Sequence, residues 1–269
     1  MSRPPLLPPA LVERAARPYR TAGLHPWFFA RGKLGHDPVF AGLLRLGLIP
    51  HGARLLDLGC GQGLLAALLL AAEAPARDIG WPAHWAEAPR GVTVRGIDFV
   101  ARDVRRAQCA VMAAGADTAR ARFEHADIRN ADFGAADVVL LLDVLHYLDW
   151  GSQRQVLERA RNCLAPAGTL LLRVADANAG LSFRFGRFVD KAVLVGRGLR
   201  GTQLCCRPLT EWQRLLETIG FSVRTLPMHA GTPFANLLLV CRIGTAPPHQ
   251  SELPAPAAPM GQTSNDCYL

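Results

Sequence analysis

The stretch "LLDLGCGQGLLAALLL", Leu55 to Leu70, sets glycines at 59, 61 and 63 between two apolar runs. Glycine reaches positive φ without strain and lets another group approach the main chain. Three alternate glycines at the seam of two buried elements therefore mark a tight turn that can also cradle a ligand. The run before it, "RLLDLG", reads as a strand, and the run after it, "LLAALLLAAEA", as a helix. Strand, glycine turn and helix in that order form the setting of a nucleoside- or phosphate-binding turn.

Outward from this unit the pattern repeats. "VTVRGIDF", "ARFEHADI", "ADVVLLLDV" and "LLLRVAD" read as strands, with "VARDVRRAQCAVMAAG" and "SQRQVLERARNCL" as helices between them and "APAGT" as a turn. Such alternation predicts a doubly wound, mostly parallel sheet. After the helix "LTEWQRLLETIGF" come two strand-like runs, "SVRTLPM" and "ANLLLVCRI", joined by a link too short for a crossover, so they form an antiparallel hairpin. Upstream, residues 1–24 are proline-rich and then weakly helical, and the spacing of Val39, Leu43, Leu44 and Leu46 predicts a helix that ends before Pro50. Pro75 to Gly91 reads as an inserted loop or short helix. From about Gly244 the chain cannot bury enough apolar surface and is expected to be disordered.

At 269 residues the chain is long enough for one substantial α/β domain with insertions. No apolar run reaches the length a membrane helix needs, and no secretory signal pattern opens the sequence, so the expected location is cytoplasmic. Seven cysteines without C-x-x-C spacing argue against a zinc site and a disulfide framework, and no metal is expected. The net charge of +8 rests almost wholly on arginine, since Lys33 and Lys191 are the only lysines. That charge suits nucleic acid, an anionic surface or an acidic partner, and does not choose among them.

With "LLDLGCGQG" on the first strand and a closing strand hairpin, the chain resembles the class I S-adenosylmethionine-dependent methyltransferases over roughly residues 40–243. The glycine-rich dinucleotide-binding dehydrogenases fit less well, because their third small residue would fall at Leu64. The resemblance implies an α/β, doubly wound, mostly parallel seven-stranded sheet with one antiparallel strand, and S-adenosyl-L-methionine as cofactor. It implies that Gly59, Cys60, Gly61 and Gly63 bring the turn's backbone against the methionine part and that Asp57 helps to hold its amino group. Asp98 would accept both ribose hydroxyls, Asp127 and the amide of Ile128 would meet the adenine, and Phe99 would cover an edge of the nucleoside. Asp143, Val144 and His146 follow the fourth strand, where methyl group and acceptor meet in this family.

The acceptor is read from "DVLHYLD". It lacks the Pro-Pro-aromatic step of base-specific N-methyltransferases, and none of the seven cysteines follows a proline as in pyrimidine C5 enzymes, so nucleic acid is disfavoured and stands as the alternative. The segment is similar to small-molecule methyltransferases in which a histidine follows this strand, and His146 has the chemistry of a general base or of a wall residue that fixes the loop. An arginine- and aromatic-rich insertion, 176–208, is expected to form a substrate lid together with residues 1–39 as a cap. Its Phe183, Phe185 and Phe188 alternate with Arg184 and Arg187, which suits an aromatic or unsaturated acid, free or on an acidic acyl carrier protein. "HPWFFARGKLGHDPVF" and the lid also resemble methyltransferases of bacterial aryl-polyene pigment pathways. Oxygen and carbon remain equal candidates for the methylated atom.

Overall fold

The computed structural model describes residues 6–177, 204–229 and 231–244. Seven strands form one sheet: β1 (Arg54–Leu58), β2 (Thr93–Asp98), β3 (Ala121–His125), β4 (Ala136–Leu142), β5 (Leu164–Ala175), β6 (Phe221–Pro227) and β7 (Asn236–Ile243). Their order is β3-β2-β1-β4-β5-β7-β6, and β7 runs antiparallel to both of its neighbours. The expected class and the single reversed strand are thus what the sheet has.

Strand side chains alternate across the sheet, which splits the core in two. Leu55, Val138 and Leu140 join one apolar cluster with Leu43, Leu65 and Leu68. Leu56, Leu58, Val139 and Leu141 join the other with Val156, Leu157 and Trp212. The first face carries α3 (Pro38–Arg45), α4 (Leu64–Ala72) and α6 (Ala101–Ala113), and the second α7 (Trp150–Cys163) and α8 (Leu209–Thr218). Only Leu70 of α4 is not buried, because α1 (Pro9–Ala16) packs across its outer side.

The boundary expected near residue 40 is not a break in packing. Leu11, Tyr19 and Leu34 share one core with Leu65 and Leu68, so α1, a 3-10 turn at Arg17–Ala22 and α2 (Leu24–His36) are built onto the sheet. The Pro75–Gly91 insertion holds one helical turn, α5 (Ala76–Ile79), and then an edge-on pair of Trp81 and Trp85. One expectation is corrected: "APAGT" lies within β5. Leu164 pairs with Ala136, the register shifts, and pairing resumes at Thr169 with Val138, so the segment is an irregularity inside the strand. Of the expected lid, residues 178–203, including Phe183, Arg184, Phe185, Arg187 and Phe188, lie outside the described residues, as does the tail from 245. Among the described residues no helix is long and apolar enough to cross a membrane.

Candidate active site

The strand order reverses between β1 and β4, and the carboxyl ends of the strands there carry the candidate residues, as open α/β sheets require of a ligand crevice. The three turn glycines all have positive φ, for different reasons. A Cβ at Gly59 would strike Val144 Cγ2 at 2.2 Å, so this glycine lets the loop after β4 close onto the turn. A Cβ at Gly63 would meet Ala107 and Phe123 within 2.8–3.0 Å, so Gly63 serves helix packing and does not line the cavity. At Gly61 nothing lies within 4 Å, and its missing side chain opens onto the cavity. The expectation that all three glycines cradle a ligand is therefore corrected for Gly63, which supports the turn from behind. Cys60 is buried at the cavity wall and packs toward Gly96, and burial pushes its thiol well up, so it acts as a filler.

Two acids stand beside Gly61. Asp98, buried at the tip of β2, accepts from Gly61 N at 2.8 Å and from Val100 N at 2.8 Å, which locks the turn to the second strand and leaves each oxygen a further lone pair. Asp57 is buried, and burial together with the charge of Asp98 pushes its carboxyl up to about 7. A cationic ligand group would return it to the charged form. Gln62 Oε1, in the same turn, is buried without a hydrogen-bond partner among the described residues, while Tyr19 donates to the Gln62 carbonyl at 2.7 Å from the far side. Sequence reasoning passed over Gln62 and Tyr19, although a buried amide between two glycines was the available signal.

Asp127 is in place but not presented as expected. Arg129 grips both of its oxygens, at 2.5–3.0 Å through Nε and Nη2, and holds the carboxyl below its usual range, so any adenine amine shares an occupied acceptor. Ile128 is buried beside it, and Phe99 leaves its ring exposed at the rim. Asp143 departs further. It is the sole non-glycine residue with positive φ among those described, and two Arg173 nitrogens take its carboxylate. Asp143 thus faces a buried guanidinium, which also grips Asp37 at 2.5 and 2.8 Å.

His146 sits on a 3-10 turn, Leu145–Tyr147, with its ring tilted against Tyr147 at 4.1 Å. This turn is stapled from below: Gln153 Nε2 reaches the carbonyls of Leu145, Leu148 and Cys205 at 2.8–3.1 Å, and Cys205 N donates to the His146 carbonyl. Gln153 is fully buried and was another residue the sequence reading missed.

Asp57, Gly59, Cys60, Gly61, Gln62, Asp98, Phe99, Asp127, Ile128, Asp143 and His146 line one cavity of about 1,420 Å³, together with residues of α2 and residues 231–235 between β6 and β7. Pockets for one drug-sized ligand run roughly 300–1,000 Å³, so this one has room for two molecules side by side. A methionine-bearing nucleoside fits the donor set. Gly61 offers bare backbone, Asp57 and the orphan Gln62 oxygen suit an ammonium, and Asp98 keeps acceptor capacity for hydroxyls. Because Asp57 is half protonated near pH 7, binding an ammonium there should release a proton. The affinity for S-adenosylhomocysteine is then expected to fall as pH drops below about 7, approaching tenfold per unit, and calorimetry in buffers of different ionisation enthalpy should register the proton. An affinity flat from pH 5.5 to 8 would remove Asp57 from that contact.

No reviewed protein sequence matches the chain closely enough to count as a relative. Solved structures are similar in fold. An O-methyltransferase family protein from Burkholderia thailandensis is 21% identical with a TM-score of 0.54, over 84% of this chain and 62% of that one. An O-methyltransferase family 2 protein from Planctomyces limnophilus, solved with apigenin, is 21% identical with a TM-score of 0.57, over 87% and 64%. An O-methyltransferase from neocarzinostatin biosynthesis, solved with S-adenosyl-L-homocysteine and 1,4-dihydroxy-2-naphthoic acid, is 19% identical with a TM-score of 0.55, over 86% and 60%. The chain spans slightly less than two thirds of the length of each. A sequence profile described as a methyltransferase domain matches residues 33–226, well over half of the chain, from α2 to β6. The chain belongs to this methyltransferase-domain family.

Proposed function

We propose that this chain transfers the methyl group of S-adenosylmethionine to an oxygen of a small aromatic acceptor bearing an acid group, and that His146 takes the proton from the acceptor hydroxyl. The observation that carries the reading is the shared chamber. Asp57, Gly61 and Asp98 line the same cavity as His146 and the exposed face of α2. When bound, the cofactor supplies an electrophilic methyl carbon. The protein then has to align the acceptor oxygen and remove its proton. Asp57 and Gln62 hold the amino-acid end of the cofactor, Asp98 the ribose, and Asp127, Ile128 and Phe99 the base. Gln153 fixes the turn, so that the imidazole is placed by the scaffold and not by the ligand.

The planar hydroxylated ligands in two of the similar structures support an aromatic acceptor. The nucleic-acid alternative gains nothing from the lining. Arg102 and Arg106 lie against Asp103, Arg129 is spent on Asp127, and Arg173 is buried between two aspartates. A carrier-bound acyl acceptor and an aryl-polyene pathway rest on the sequence alone.

The test is transfer of labelled methyl to a panel of hydroxylated aromatic acids, their carrier-bound thioesters, and RNA. Label is expected on a hydroxyl of an aromatic acid. RNA labelled faster than every acid would overturn the reading.

A further inference from the structure

One face of α2 looks into the cavity. His25, Phe29, Lys33 and His36 line it at the spacing of a helical stripe, whereas Pro26, Ala30 and Leu34 on another face are buried in the core. The stripe therefore does not exist to hold α2 in place; it furnishes a wall that is aromatic and basic.

Lys33 ends a chain of four charges that alternate in sign. Its Nζ lies 2.8 Å from Asp37, Asp37 binds Arg173, and Arg173 binds Asp143. The two ends differ. Asp143 lies in the loop three residues before His146, among the acids of the cofactor region, while Lys33 stands 40% exposed on the α2 wall. Asp37 already has two guanidinium hydrogen bonds from Arg173, which is buried with it. An ammonium has three N–H donors, and among the described residues Asp37 is the one carboxylate on Lys33. Of the arginines in the lining, Arg129 and Arg173 are fully engaged by Asp127 and by Asp37 with Asp143, while Arg102 and Arg106, on α6 across the cavity lining from α2, lie 3.8 and 3.4 Å from Asp103.

We propose that the α2 stripe is the anion-holding end of the acceptor site, with Lys33 pairing a carboxylate on a planar acceptor whose ring lies against Phe29. The proposal rests on the methyltransferase reading above and gives that site its charge selectivity. The neutral balance of the four charges also fits it, since an acid entering at Lys33 meets an ammonium, and the carboxylate behind it is already satisfied by Arg173.

The experiment uses the full chain, with hydroxybenzoic and hydroxynaphthoic acids and their carboxamides as probes. Binding is measured by calorimetry with and without S-adenosylhomocysteine, and methyl transfer in parallel. In the wild type, at least one acid is expected to bind about tenfold or more tightly than its amide, an amount typical of one charge-assisted contact. Lys33→Met should erase that ratio by weakening the acid, leaving the amide and S-adenosylhomocysteine as they were, and Lys33→Arg should restore most of it. The readout is a ratio, so a general loss of folding cannot imitate the result. An acid-to-amide ratio near one in the wild type, or a ratio unmoved in Lys33→Met, would overturn the proposal. Failure of S-adenosylhomocysteine to bind, with the acid preference intact, would instead tell against the methyltransferase reading and spare the anion site.

Discussion

His146→Ala is expected to lower turnover by about 10²–10⁴-fold, the usual contribution of a positioned general base, and to leave the affinity for S-adenosylhomocysteine unchanged. The separation follows from where the residue stands. His146 is on the turn after β4, whereas Asp57, Gly61 and Asp98, proposed to hold the cofactor, stand on β1, on the turn after it and on β2. The backbone of the turn is retained by Gln153 and Cys205 through main-chain carbonyls, so removing the imidazole does not remove the turn. A wild-type rate in His146→Ala would take the residue out of the chemistry. A large loss of cofactor binding would make it a wall residue, with the base to be sought elsewhere in the cavity.

The glycine turn and the acids at the strand tips were legible because their causes are local. Positive φ selects glycine, and a carboxylate at the end of a parallel strand faces the crevice whatever the rest of the chain does. The sequence could not separate the three glycines by role, because what Gly59 and Gly63 avoid are Val144 and Phe123, residues far along the chain. The same limit hid Arg129, which claims Asp127 from two residues away but only in the conformation that the loop after β3 adopts. It hid Tyr19, whose hydroxyl crosses 43 residues to the Gln62 carbonyl. "LLLRVAD" did contain a signal that the strand reading absorbed without comment. An arginine in a strand buried on both faces needs a carboxylate partner, and two aspartates, Asp37 and Asp143, meet it from opposite directions in the chain.

That arginine carries the largest expected effect on stability. Arg173→Met keeps the apolar stem and removes the buried charge, leaving Asp37, which is only 10% exposed, with Lys33 as its remaining charged partner and Asp143 with none among the described residues, and the expected loss is about 3 kcal/mol. The pH dependence identifies the cause. Burial would push Asp37 up, but the charges of Arg173 and Lys33, with their hydrogen bonds, win and hold it well below the usual carboxylate range. A carboxyl lowered on folding contributes stability that is present above its unfolded value, near about 4, and is lost as pH falls toward the folded one. Without Arg173 only Lys33 is left to lower Asp37, so most of that contribution is lost, and protonation relieves the acids. The gap between variant and wild type in urea midpoint should therefore be widest near pH 7.5 and narrow on acidification through pH 5 to 4. Replacing both acids by leucine in the same background should recover much of the loss, since an apolar cluster of similar volume no longer needs the charge. A gap constant over that range, or a triple variant no more stable than Arg173→Met, would mean that the arginine acts through its packing alone. The α2–α3 junction and the loop before His146 would then be joined by shape and not by charge.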